Sequence, residues 1–178
     1  MSRLARMFAV LAVMAVTACG GARIDVSRMT TLAAEPQKAT FVMVRTKAQD
    51  RSTDYPKLAD QIAAQLVAKG FSRVESAAQA RYALMFTYDG EGVGGDSGSK
   101  RRASKKNADE KIELSLSIAL FDLTRPNQPD EKVFGGRARC LVEPTNPVAI
   151  GSALIEVVLR DFPGKSHETY SARLADVE

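Results

Sequence analysis

The sequence predicts an α+β domain, a two-layer sandwich of mostly antiparallel sheet with two amphipathic helices on one face. Three observations carry that expectation. Ile112, Leu114, Leu116, Ile118 and Leu120 alternate with Glu113, Ser115, Ser117 and Ala119, the period-two pattern of a strand with one buried and one wetter face. Leu58, Ile62 and Leu66 recur every fourth residue beside Ala59 and Ala63, and Ile150, Leu154, Val157 and Val158 make a second helical stripe. The later strands are joined by turn-forming stretches, such as the one holding Pro126 and Pro129, which favours antiparallel neighbours. Helices apolar on one side only must bury that side against the sheet, and two layers follow.

The chain opens with a leader rather than a folded element. Arg3 and Arg6 precede an unbroken apolar run from Met7 to Val16, closed by Thr17, Ala18 and Cys19. A basic start, a short apolar middle and a small-residue exit make a secretory signal over residues 1–18. The run falls short of the ~20 apolar residues a membrane-spanning helix needs. Residues 19–38 read as a tether in which Arg23, Ile24, Asp25 and Val26 have the makings of a short strand. The domain proper is expected over residues 39–164.

Within it, residues 40–45 form an apolar strand. The first helix has Asp54 as its cap, Pro56 in its first turn and Gly70 as its left-handed stop. Residues 71–74 enter a short strand, 77–80 suit a single helical turn, and 81–88 form a strand with Tyr82, Leu84, Phe86 and Tyr88 on one face. Residues 89–110 are a long polar hairpin connection, rich in Gly and Ser and carrying a basic run. After the alternating strand at 112–120, residues 132–142 make another, with Phe134, Gly136, Ala138, Cys140 and Val142 opposite Arg137 and Arg139. Asn146 and Pro147 open the second helix, and Pro163 and Gly164 end it. Residues 165–178 are polar and are expected to fray without contributing to the core.

Composition narrows the function classes. The 178 residues suit one domain, and with no Trp the core must be filled by Leu, Ile, Val and Ala. Arg3 and Arg6 leave with the leader and reduce the net charge from +4 to +2, so the charge gives no footprint for nucleic acid. Cys19 and Cys140 are the two cysteines. In an oxidising compartment an unpaired thiol is best kept buried, and the strand pattern points Cys140 inward.

The order Val16, Thr17, Ala18, Cys19 resembles the lipobox of bacterial lipoproteins. The resemblance implies cleavage before Cys19, a diacylglycerol thioether on its sulfur and acylation of its freed amine; the alternative is a soluble secreted protein cut after Ala18. Two or three acyl chains hold stably where one does not, each buried methylene contributing about 0.8 kcal/mol. Gly20 and Gly21 follow with no Asp beside the cysteine, which by the same resemblance implies the periplasmic face of the outer membrane. The run Leu66-Val67-Ala68-Lys69-Gly70-Phe71, the strand Ala80-Arg81-Tyr82-Ala83-Leu84, the stretch Ile118-Ala119-Leu120-Phe121-Asp122, the stretch Val133-Phe134-Gly135-Gly136-Arg137-Ala138 and the exit Leu159-Arg160-Asp161-Phe162-Pro163 resemble a family of proteobacterial lipoproteins grouped as a domain of unknown function. Two departures stand out: that family often has Asp at the position of Arg81 and Trp at that of Phe134. The resemblance implies this fold and compartment and carries over no active site.

The residues offer no catalytic constellation. His167 is the one histidine and sits in the polar tail, whereas a zinc site needs three or four ligands and a Ser-His-acid triad a rigidly held imidazole. Gly90, Gly92, Gly94 and Gly95 run into Asp96 and Ser97 rather than into a helix, so neither a dinucleotide turn nor a phosphate loop forms. Asp122, Asp130, Glu131 and Glu143 lie near strand ends, where solvated carboxylates are common. The basic run Lys100, Arg101, Arg102, Lys105 and Lys106 is a candidate contact with anionic lipid, lipopolysaccharide phosphates or peptidoglycan carboxylates, against the plainer reading of a solvated loop. No aromatic interleaves with it to stack bases. The expectation is a non-enzymatic binding or assembly module of the cell envelope, with no cofactor and no metal, touching membrane lipid through Cys19 and an envelope protein or peptidoglycan as partner. The alternatives are an accessory regulator of an envelope enzyme, docking by its sheet edge or helix pair, and a hydrolase whose carboxylates cannot be placed.

Overall fold

The computed structural model describes residues 22–32, 39–46, 49, 53–90, 112–124, 131–142 and 147–177. Among these residues seven strands form one sheet: β1 (Arg23–Thr30), β2 (Thr40–Met43), β3 (Ser72–Arg73), β4 (Tyr82–Gly90), β5 (Ile112–Asp122), β6 (Lys132–Val142) and β7 (Glu168–Arg173). Two helices, α1 (Tyr55–Ala68) and α2 (Pro147–Leu159), complete an α+β sandwich. The spatial order is β3-β2-β4-β5-β6-β1-β7. Neighbours from β4 to β7 are antiparallel, while β2 runs parallel to both β3 and β4. The parallel end follows from the crossover through α1, since a helix between two strands lets them run in the same direction.

Side-chain alternation builds the core. Ile112, Leu114, Leu116, Ile118 and Leu120 of β5 are all buried, as are Tyr82, Leu84 and Phe86 of β4 and Phe134, Ala138, Cys140 and Val142 of β6. These join Leu58, Ile62 and Leu66 of α1 and Leu154, Val157 and Val158 of α2 in one cluster. Two glycines set how closely the layers approach. A Cβ at Gly136 would run into Cγ1 of Val158, so α2 seats on β6 only because that position is bare. A Cβ at Gly151 would lie 2.9 Å from Cδ2 of Leu58, which lets α2 come against α1. Gly70 takes the left-handed conformation (φ +89°) and stops α1, as its sequence position predicts. Asp54 precedes α1 but makes no side-chain capping bond; Tyr55 and Leu58 of the first turn are buried, so packing holds that end.

Both ends of the predicted domain need correction. The tether expected over 19–38 holds an eight-residue strand, β1, that lies between β6 and β7 and buries Ile24 and Val26. The tail expected to fray at 165–178 contains β7, then a short 3-10 turn, and ends its described part on buried Val177. The polar run is a strand because β1 satisfies its inward backbone groups, and because it meets a buried charge. Arg28, on the inward face of β1, has a fully buried side chain whose Nη2 donates to Oε2 of Glu168 at 2.7 Å, with Oδ2 of Asp161 at 3.8 Å. Its guanidinium carbon lies 4.8 Å from the centre of the Tyr170 ring, and the Tyr170 hydroxyl donates to the Val157 carbonyl at 2.6 Å. Among the described residues Nε and Nη1 of Arg28 have no hydrogen-bond partner.

An inward arginine with one strong counter-charge makes β7 a latch. Removing one partner of a buried pair leaves an uncompensated charge, whereas replacing the charge by an apolar chain of like size does not. Glu168→Ala is therefore expected to cost about 2 kcal/mol in urea unfolding, reduced from the fully buried range because Glu168 is about a third exposed, and Arg28→Met to cost less. Equal stability of Glu168→Ala and the native chain would show that the pair does not hold β7.

Candidate functional site

The helices cover one face of the sheet, and no described helix covers the other. The strand register sorts the uncovered face into rows that cross the strands. One row reads Thr87 (β4), Ser117 (β5), Arg137 (β6), Ser27 (β1), Thr169 (β7). It places one guanidinium among four hydroxyl side chains. The next row reads Asp89, Ser115, Arg139, Asp25, Ser171. On the other side lie Met85, Ala119, Gly135 and Met29, with the Lys132 side chain laid over the bare Gly135.

Arg137 and Arg139 are exposed and make no hydrogen bond or ion pair among the described residues. Asp25, beside Arg139, is already engaged. Its Oδ1 accepts from the Ser171 hydroxyl at 2.9 Å and from Nε of Arg23 at 2.9 Å, and Nη2 of Arg23 also donates to Ser171 at 2.8 Å. The Ser171 hydrogen bond, then that of Arg23, hold the Asp25 carboxyl below the ordinary carboxylate range, with a weaker attraction from Arg139. Arg137 has no acid in its row. This face can offer a flat set of donors to an anion, with a planar guanidinium fork at its centre.

The residues singled out in the sequence fall elsewhere. Cys19 and the basic run Lys100, Arg101, Arg102, Lys105 and Lys106 lie outside the described residues, as do Asp130 and Glu143. His167 is exposed in the turn before β7, in a left-handed backbone conformation (φ 55°). Asp122, expected to be solvated, is buried instead: its Oδ1 accepts from the Thr124 amide at 2.9 Å and the Thr124 hydroxyl at 2.6 Å, closing the turn after β5. Among the described residues no three His, Cys, Asp or Glu side chains gather as a metal site, and no helix is long and apolar enough to cross a membrane. A groove of about 350 Å³ runs between the outer sides of α1 and α2 over Gln61, Ala64, Ala149, Ser152 and Ala153. Glu156 is the titratable group in its lining, and the Ser152 hydroxyl donates to Oε1 of Gln61 at 2.9 Å.

Cys140 is buried and free, on the inward face of β6 as its alternation predicts. Burial, then the nearby Glu113 charge, pushes its thiol up to about 11. At pH 8 it should be almost wholly protonated and shielded, and a thiolate is the reactive form. A disulfide reagent at pH 8 is expected to label Cys140 only as fast as the domain opens, with full reaction in denaturant. Immediate labelling of the folded chain would contradict the inward placement.

No family model matches the chain, and no curated protein matches it. Among solved structures it is similar to a PelC dodecamer from Paraburkholderia phytofirmans, at 16% identity and a TM-score of 0.49, over 76% of this chain and 94% of that one. It is also similar to a PDZ domain protein from Parabacteroides distasonis, at 15% identity and a TM-score of 0.56, over 94% of this chain and 42% of that one. The second likeness is one of fold.

Proposed function

We propose that this protein is a non-catalytic contact module of the cell envelope, held by lipid on Cys19 at the periplasmic face of the outer membrane and engaging its partner through the uncovered sheet face. The observation that carries the reading is the Arg137 row: a guanidinium without an ion-pair partner among the described residues, flanked on both sides by hydroxyls, on a face that the helix layer leaves open. A flat patch of unspent donors suits contact with an extended surface, whereas catalysis needs reacting groups converging in a concave site. The leader and the Val16 to Cys19 order support the tether.

A tethered protein sediments with membranes. Cys19→Ala is expected to move the protein to the soluble fraction or to leave it as uncleaved precursor, and mass spectrometry of the native form should find acyl mass on the peptide beginning at Cys19. Native protein that stays in the soluble fraction, with an unmodified thiol at position 19, would overturn the reading.

A further inference from the structure

We propose that the row centred on Arg137 is a binding site for an extended acidic polysaccharide, which pairs a carboxylate with Arg137, passes beside Arg139 and bonds through its hydroxyls to the serines and threonines of the row. This deepens the contact-module reading and rests on it for its setting. The row spans five strands, and at 4.8 Å between neighbours it is roughly 19 Å long, enough for several sugar rings. It contains no acidic residue, so a polyanion lying across the strands meets one cation and four neutral hydroxyls.

Three further features select this ligand class. Arg139 is two residues further along the same face of β6, about 7 Å from Arg137 and beside the row rather than in it, so a chain lying on the row pairs with Arg137 and has a second guanidinium at its flank. Both are arginines, whose planar fork matches a carboxylate with two parallel hydrogen bonds, where lysine offers a point charge. The nearest acid, Asp25, is occupied by Ser171 and Arg23 and does not neutralise Arg137. Met85, Ala119 and Met29, with the Lys132 chain over Gly135 among them, give the C–H face of a sugar ring apolar contacts edged by a further cation.

A lipid surface fits less well. Asp25, Asp89 and Glu113 stand on the same face interspersed with Arg23, Arg137, Arg139 and Arg173, so a flat anionic bilayer would meet mixed charge, whereas a single polymer chain follows the acid-free row. Nucleic acid is disfavoured because neither arginine row carries an aromatic residue to stack bases.

The test is a titration of the purified full chain in a non-ionic detergent with oligogalacturonate, with neutral dextran, and with phosphatidylglycerol vesicles. Oligogalacturonate is expected to bind with an affinity that falls as salt rises, and dextran not to bind. Arg137→Gln should weaken binding about tenfold and Arg137→Lys severalfold, because lysine keeps the charge and loses the fork. Ser117→Asp, which sets a carboxylate directly across from Arg137 while keeping both arginines, should weaken it as well by occupying that guanidinium. Lys57→Gln, on exposed α1 in the other layer, should change nothing. Equal binding by Arg137→Gln and Ser117→Asp would overturn the proposal, as would equal binding of dextran. Because the acylated chain enters any vesicle, vesicle capture is compared between the native chain and Arg137→Gln: capture that this variant loses, with no binding of oligogalacturonate, would assign the face to lipid and overturn it too. Membrane-held protein that ignores oligogalacturonate sinks this proposal alone, whereas soluble native protein that binds it sinks the tether and leaves this site standing.

Discussion

The pleat of β6 is the constraint from which the two faces of this protein follow. Successive residues of a strand point to opposite sides, so placing Phe134, Ala138, Cys140 and Val142 in the core forces Arg137 and Arg139 out of it. A slip of one residue would bury both guanidiniums and expose the apolar set, which makes the register nearly obligatory. Gly136 then decides what covers the inward side, because α2 reaches β6 through the space its missing side chain leaves. Phe162, just past α2, closes the layer by packing edge-on against Phe134, with ring centres 4.7 Å apart. The core and the uncovered face are thus two products of one alternation.

The pleat extends outward on both sides of β6. To one side β5 has an equally regular alternation and fixes its partner over nearly its whole length, until Val133 is left as an extra residue opposite the step from Leu120 to Phe121. To the other side β1 and β7 extend the sheet with far less apolar surface. Their stability comes from backbone pairing, from Ile24 and Val26, and from the Arg28 guanidinium held between Glu168, Asp161 and Tyr170. Without these two strands the row through Arg137 would lose Ser27 and Thr169, so the latch on one face supports the composition of the other.

Legibility followed the strength of each local pattern. β5, β6, both helices, the Gly70 stop and the inward Cys140 were readable because each rests on a period of two or nearly four, or on a single conformational demand. β1 gave a four-residue hint and β7 none, because a strand beside the sheet's edge is stabilised by pairing with a partner distant in sequence, about which composition says nothing. Arg28 was missed for a related reason: its counter-charge, Glu168, is 140 residues away. Asp122 looked like a solvated strand end, yet the turn it closes with Thr124 buries it. The outward direction of Arg137 and Arg139 was visible in the alternation; that four hydroxyls align with Arg137 was not, since this depends on the register of five strands at once.

If the alternation on β6 divides labour between folding and contact, it should do so residue by residue. The most direct measurement is the unfolding free energy of single aspartate replacements at 137, 138, 139 and 140, read in urea on one chain background. The account predicts a period of two: losses of about 3 kcal/mol or more at Ala138 and Cys140, where a charge would enter the core, and changes of no more than about 1 kcal/mol at Arg137 and Arg139, the larger at Arg139, where the new carboxylate faces Asp25. Large losses at Arg137 and Arg139 would mean that the fold itself uses these arginines, and would contradict the claim that the uncovered face is free to bind.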